Sequence, residues 1–198
     1  MKSESKPVVI ICPGNGCTNI KNSNWYGKFH EDLKGAGIQS VCENFPDPNR
    51  ARREKWLPFI RSKAEEASPS NPSNVILVGH SSGAQAALRY AEEYPIMVAV
   101  LVSATYSDLG DSGERASGYY PQKNKNGDVT NPYKFDEMKK NCPRWYQFHS
   151  DDDPFIPLRE AEQIRDGLGL TDTYFMLPGR SHFFEGFPEL IEIVSSLC

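Results

Sequence analysis

Residues 75–84 read Val75-Ile-Leu-Val-Gly-His-Ser-Ser-Gly-Ala84, and the fold follows from how this stretch must bend. Val75–Val78 is a continuous apolar run, which suits a strand buried on both faces. Beyond it, Ala84, Ala87, Leu88 and Ala91 fall on one face of a helix. The chain therefore passes from strand to helix within Gly79-His80-Ser81-Ser82-Gly83. A turn that sharp needs glycine's freedom, and it lifts the central hydroxyl, that of Ser81, above the end of a sheet.

The same alternation runs along the chain. Short apolar runs at Val8–Cys12, Ile38–Cys42, Val75–Val78, Val98–Val102, Trp145–Phe148 and Thr173–Leu177 predict six strands. Between them, Trp25, Phe29 and Leu33 are spaced i, i+4, i+8 and stop at Gly35 and Gly37. Further helices are expected over Ala51–Ala67, Pro132–Lys140, Arg159–Gly167 and Pro188–Leu197. Strands apolar on both faces and separated by helices predict an α/β fold, a mostly parallel sheet of about six strands with helices on both faces. Ligands of such sheets bind beyond the carboxyl ends of the strands, so reactive groups belong on the loops after these runs. With 198 residues, no internal repeat and one low-complexity stretch, Ser68–Asn74, a single domain over residues 1–198 is expected. Tyr106–Asn131, rich in Gly, Ser, Asp and Asn, breaks the alternation and is expected to be a lid or a surface loop.

A serine hydroxyl is a weak nucleophile at neutral pH and needs a base. Among the four histidines, His30 lies in an amphipathic pattern and is expected to face solvent, while His80 lies inside the turn and points away from Ser81. His149 closes a strand, where it packs or steers the loop that follows. His182, in Leu177-Pro-Gly-Arg-Ser-His182 after the last strand, can reach over the sheet end and is the expected base. The base must in turn be oriented by an acid. Asp153, fixed by Pro154, is the expected partner, and the neighbouring Asp151 and Asp152 read as a solvated turn. Ser81, Asp153 and His182 thus follow three different strands, in that chain order.

Acyl transfer also needs donors for a tetrahedral oxyanion. The backbone N–H groups of Ser82, just after the nucleophile, and of Asn15, in Pro13-Gly14-Asn15-Gly16-Cys17, are expected to supply them. That loop lacks G-x-G-x-x-G, since Asn19 stands where the third glycine belongs, which argues against a dinucleotide. No second acidic cluster or histidine pair accompanies the three aspartates at a metal spacing, so neither metal nor other cofactor is expected. Trp25, Tyr26, Phe155, Phe183 and Phe184 lie beside these loops and read as core residues that could also line a pocket.

Pro13-Gly14-Asn15-Gly16, Trp25-Tyr26-Gly27, Phe45-Pro-Asp-Pro48, Trp56-Leu-Pro-Phe59, Gly79-His-Ser-Ser-Gly-Ala84, Ser107-Asp-Leu-Gly-Asp111 and Asp152-Asp-Pro-Phe155 together resemble the retinoblastoma-binding protein 9 family of small serine hydrolases. The resemblance runs from Val8 to about Leu197. It implies a compact α/β-hydrolase fold with Ser81, Asp153 and His182 at the triad positions, and small esters or amides as substrates. Two rivals share the scaffold: a catalytically idle protein-binding module, and an acyltransferase using the same triad. Two departures from the family pattern stand out. The stretch near Ser62–Ala67 has neither the Leu nor the Cys of an L-x-C-x-E segment, so binding to a retinoblastoma pocket is not carried over. The region Tyr120–Pro132 is longer and more polar than the pattern.

A net charge of −4 gives no electrostatic footprint for nucleic acid. Val8–Cys12 is cut short by Pro13-Gly14, well under the length of a signal core or membrane span, so no membrane association is expected. The five cysteines form no C-x-x-C pair, an odd count that suits a reducing compartment. The expectation is therefore a cytoplasmic monomer acting on a small molecule.

Overall fold

The computed structural model describes residues 6–198. The first half runs β1 (Val8–Cys12), α1 (Tyr26–Gly35), β2 (Ser40–Val41), α2 (Arg53–Ala67), β3 (Val75–His80), α3 (Ser82–Glu93) and β4 (Val98–Val102). It continues with α4 (Ser112–Ser117), β5 (Gln122–Lys123), β6 (Val129–Thr130), α5 (Phe135–Asn141), β7 (Trp145–His149), α6 (Leu158–Leu168), β8 (Tyr174–Met176) and α7 (Pro188–Ser196). Six strands form one sheet in the order β2-β1-β3-β4-β7-β8, every neighbouring pair parallel. β5 and β6 make a separate antiparallel hairpin.

Alternate residues of each strand feed two cores. Ile10, Leu77 and Leu101 pack with Trp56, Leu88, Met138 and Ile164, which puts α2, α3, α5 and α6 on one face. Val9, Ile11, Val78 and Val100 pack with Phe29, Leu33, Leu190 and Val194, which puts α1 and α7 on the other. The register Cys12↔Gly79, His80↔Val102 and Val102↔Phe148 aligns the carboxyl ends of β1, β3, β4 and β7. Their following loops therefore emerge side by side.

The two edge strands are shorter than their apolar runs. β2 keeps two residues of Ile38–Cys42 and β8 three of Thr173–Leu177, because each has a neighbour on one side only. Ile38 and Cys42 are still buried, 6% and 4% exposed, so their apolarity reports packing rather than pairing.

Residues 106–131 hold α4 and the hairpin, and buried ions grip both ends of the excursion. Glu160, 4% exposed, accepts through Oε2 from Thr105 Oγ1 and from the amides of Tyr106 and Ser107 at 3.2, 3.1 and 2.7 Å. Arg89, fully buried, donates from Nε to Tyr119 O at 2.7 Å, from Nη2 to Asn131 O at 2.8 Å and from Nη1 to Pro132 O at 2.9 Å. Its charge meets Glu92 at 2.6 Å, and its plane lies 4.2 Å from the Tyr133 ring centre. Arg89→Met would leave three carbonyls unpaired and bury the Glu92 carboxylate with Arg53, 3.6 Å away, as its remaining cation. The expected loss is about 3 kcal/mol, measured as a lowered urea midpoint at unchanged slope.

Candidate active site

Ser81 caps the start of α3 with φ 55° and ψ −120°, a left-handed backbone that a serine adopts only under constraint. The constraint is visible on both sides. Ser81 N donates to Val102 O at 2.9 Å, and Ser81 O accepts from Ala84 N at 2.9 Å. A Cβ on Gly79 would sit 2.6 Å from the Gly83 carbonyl carbon, and one on Gly83 2.6 Å from Pro13 O. Both glycines are thus required for α3 to start directly against β3 and the end of β1.

Asp153 and His182 are brought together. His182 Nδ1 lies 2.8 Å from Asp153 Oδ2, and the Asp153 side chain has no exposed surface. The same carboxylate accepts from Ser103 Oγ at 3.0 Å and from the amides of Phe155 and Ile156 at 2.9 and 3.0 Å. Burial pushes the Asp153 carboxyl up, but the His182 contact and the two amides outweigh it and hold it below the usual carboxylate range. An ionised acceptor there fixes Nδ1 of His182 as the protonated nitrogen and leaves Nε2 for the cavity. Ser81 and His182 line that same cavity, of about 410 Å³, although no hydrogen bond joins their side chains. Such contacts are often long in ligand-free sites and close on substrate.

Asp151 and Asp152 form the exposed turn that the sequence suggests, and their carboxylates also reach the loop that carries His182. Asp151 Oδ1 accepts from Gly179 N at 3.1 Å, Asp152 Oδ1 from Ser181 N at 2.8 Å, and Ser150 Oγ from Arg180 N at 2.9 Å. Together they grip the loop that presents His182, whose neighbours Ser181 and Phe183 both have φ of 51°. Consecutive residues splay apart, which suits three separate amides. His30, expected to face solvent, is instead half-buried, and its Nδ1 lies 2.7 Å from Ser40 Oγ, tying α1 to β2.

His149 steers the acid loop, donating from Nε2 to Ile156 O at 3.0 Å. His80 is 1% exposed, with Nε2 2.8 Å from His182 O and Nδ1 2.6 Å from Tyr26 Oη. Burial pulls both imidazoles below their ordinary value of 6.5, His80 to about 3 with help from the nearby His182 charge. Between pH 3 and 6.5 the unfolded chain binds more protons at His80 than the folded one, so stability falls as pH falls through that window. The slope from His80 is expected to approach about 1.4 kcal/mol per pH unit. Urea unfolding between pH 4.5 and 6.5 should show a flatter dependence in His80→Gln. The depressed Asp153 acts only below its ordinary 3.8, outside this range.

The Asn15 and Ser82 amides have no acceptor among the described residues. Asn15 lines the cavity, its Nδ2 donating to Glu114 Oε1 at 2.9 Å, and Ser82 opens the first turn of α3, where the helix dipole favours negative charge. Of the five aromatics beside the site, Trp25, Tyr26 and Phe183 are core residues, whereas Phe155 and Phe184, 59% and 45% exposed, flank the His182 ring at the mouth. Leu109, Glu114 and Tyr120 of the excursion complete the wall. Sequence reading missed Ser103, Glu160 and the Tyr26–His80 contact. The available signals were a polar residue ending an apolar run and isolated polar residues on otherwise packed faces.

A serine elbow after the third strand of such a parallel sheet places the chain among the α/β-hydrolases. Within that class it belongs to the serine hydrolase family, whose pattern it matches over residues 8–193. It is 39% identical to the serine hydrolase RBBP9 of Rattus norvegicus, over all of this chain and 97% of that one. Among solved structures, the ydeN gene product of B. subtilis aligns with a TM-score of 0.78 at 20% identity, covering 98% of each chain. The monoacylglycerol lipase of Paleococcus ferrophilus aligns at 0.66 and 20% identity, covering 98% of this chain and 97% of that one. These two likenesses show the fold. Among the described residues no helix is long and apolar enough to cross a membrane.

Proposed function

We propose that the chain hydrolyses small ester or amide substrates through an acyl-enzyme, with Ser81 as nucleophile, His182 as base and Asp153 as the group that orients it. The observation that carries this reading is the strained Ser81 elbow opening into one cavity with a histidine whose other nitrogen is held by a buried carboxylate. His182 Nε2 takes the Ser81 proton as Oγ attacks the carbonyl, and the imidazolium is stabilised by Asp153. The Asn15 and Ser82 amides receive the oxyanion. His182 then protonates the leaving group, and water attacks the acyl-enzyme by the reverse proton path. Residues 106–131 serve as a cap, and the exposed Leu109, Phe155 and Phe184 at the mouth favour substrates with an apolar portion. Five unpaired cysteines fit work in a reducing compartment such as the cytoplasm, where the chain would act as a monomer.

A fluorophosphonate probe tests the assignment. The wild type should be labelled and should turn over a p-nitrophenyl ester, and Ser81→Ala should do neither. Equal labelling of both proteins would remove Ser81 from the mechanism.

A further inference from the structure

His80 is buried in the elbow, does not serve the proton path just described, and has both ring nitrogens engaged. Its Nε2 faces the main-chain carbonyl of His182 at 2.8 Å. A carbonyl can only accept, so Nε2 carries the hydrogen and Nδ1 is left as an acceptor. The group facing Nδ1 at 2.6 Å is the Tyr26 hydroxyl, which must then donate to it. That hydroxyl accepts in turn from Gly14 N at 2.9 Å and from Asn24 Nδ2 at 3.1 Å. One donor and two acceptor sites exhaust a phenol, so each polarity in the chain Gly14 N–H to Tyr26 to His80 to His182 O is determined.

We propose that His80 and Tyr26 are positioning residues that hold the oxyanion loop and the base loop in register across the elbow, and so set the geometry in which Ser81 meets His182. This rests on the function proposed above. At one end, the Gly14 amide is taken up by Tyr26, while the next amide, that of Asn15, has no acceptor among the described residues. At the other end, His182 sits between two non-glycine residues with positive φ, and its carbonyl is anchored by His80 while the Phe183 carbonyl takes the Trp25 indole N–H at 2.9 Å. A backbone so strained returns to commoner angles when its anchors go, and a shift of about 1 Å in a reacting group can cost about 100-fold in rate. With one ring nitrogen on the His182 carbonyl and the other on Tyr26, His80 acts on the base through its main chain and not as a second base. The ring also stays neutral by construction, since a proton on Nδ1 would face a hydroxyl that has no accepting capacity left.

Steady-state kinetics of the full chain on a p-nitrophenyl ester, with circular dichroism to verify folding, tests this role. His80→Leu is expected to lower kcat by about 30–100-fold while KM stays within about threefold. His80→Gln, whose amide N–H can reach the His182 carbonyl, should recover to within about fivefold of wild type. Tyr26→Phe, the loss of one oxygen, should lower kcat by about tenfold, and the double variant Tyr26→Phe/His80→Leu should be no slower than His80→Leu alone. The positioning role is overturned if a folded His80→Leu keeps kcat within threefold, if His80→Gln is as slow as His80→Leu, or if the two losses multiply. Should His80→Leu fail to fold, Tyr26→Phe decides: a kcat within twofold of wild type overturns the role, and a tenfold loss at unchanged KM supports it. A wild type that neither labels with the fluorophosphonate nor turns over the ester overturns the reading of Ser81, and this inference with it. A reactive wild type with insensitive variants overturns only the inference.

Discussion

Ser81→Ala and His182→Ala are each expected to lower kcat on an ester by about 10⁶-fold, and the double variant should lose no more than either single one. In the proposed mechanism attack and proton removal are one event: without the base, Oγ stays a neutral hydroxyl, and without Oγ the base has no proton to take. Asp153→Asn should cost less, about 10⁴-fold, because the amide preserves shape but offers His182 Nδ1 a different partner and favours the wrong tautomer. The geometry makes this variant informative. Asp153 Oδ1 accepts two amides and Oδ2 accepts from both His182 and Ser103, so an NH₂ group at either position faces a donor. The acid loop should therefore loosen as well, seen as a lower melting temperature in Asp153→Asn than in Ser81→Ala. Single-turnover kinetics would check the order of losses; a double variant a thousandfold slower than either single one would show that the two residues act independently.

Gly83→Ala is expected to cost more than about 5 kcal/mol, the exceptional end for a single methyl group and most of the stability of an ordinary domain. The added carbon would lie 2.5 Å from the carbonyl carbon of Cys12 and 2.6 Å from Pro13 O, both main-chain atoms at the end of β1. A side chain could rotate away, but here β1 or α3 must move, and either shift pulls the Asn15 loop away from Ser82. The variant should accumulate as insoluble or partly folded protein, and any folded fraction should label slowly with the fluorophosphonate. Gly35→Ala is the matched control. It ends α1 with nothing within 4 Å of its added carbon, and is expected to be neutral or to stabilise by up to about 1 kcal/mol. Urea melts of the three proteins would check both expectations.

What could be read from sequence was whatever one short segment determines alone. Val8–Cys12 and Val98–Val102 are apolar on both faces and match their strands end for end. The elbow was legible because its glycines, its serine and its flanking elements are contiguous. Edge strands were over-read, since Ile38 and Cys42 are apolar for packing and not for pairing. The polar supports were illegible for a different reason. Arg89 and Glu160 occupy faces of α3 and α6 where a charge normally points to water, and only the path of residues 105–133 brings carbonyls and amides to meet them. Asp151 and Asp152 were legible as an exposed turn but not as the grip on a loop 28 and 29 residues downstream.

Arg89 also divides the excursion into parts that differ in how much change they can absorb. Its guanidinium gathers the carbonyls of Tyr119, Asn131 and Pro132 at one point, so the chain between them leaves and returns through a single pinched stem. Of the cavity wall, Glu114 lies before that stem and Tyr120 directly at its base, bound to Glu114 Oε2 at 2.8 Å, while the exposed tip, closed by Asn124 N to Asp128 O at 2.9 Å, lies well beyond it. Lengthening a closed loop is inexpensive, about 0.6 kcal/mol for each doubling. The tip at Asn126-Gly127 is therefore where a peptide tag or a reporter domain can be grafted, and where family members are free to differ in length, while the mouth of the site keeps its shape.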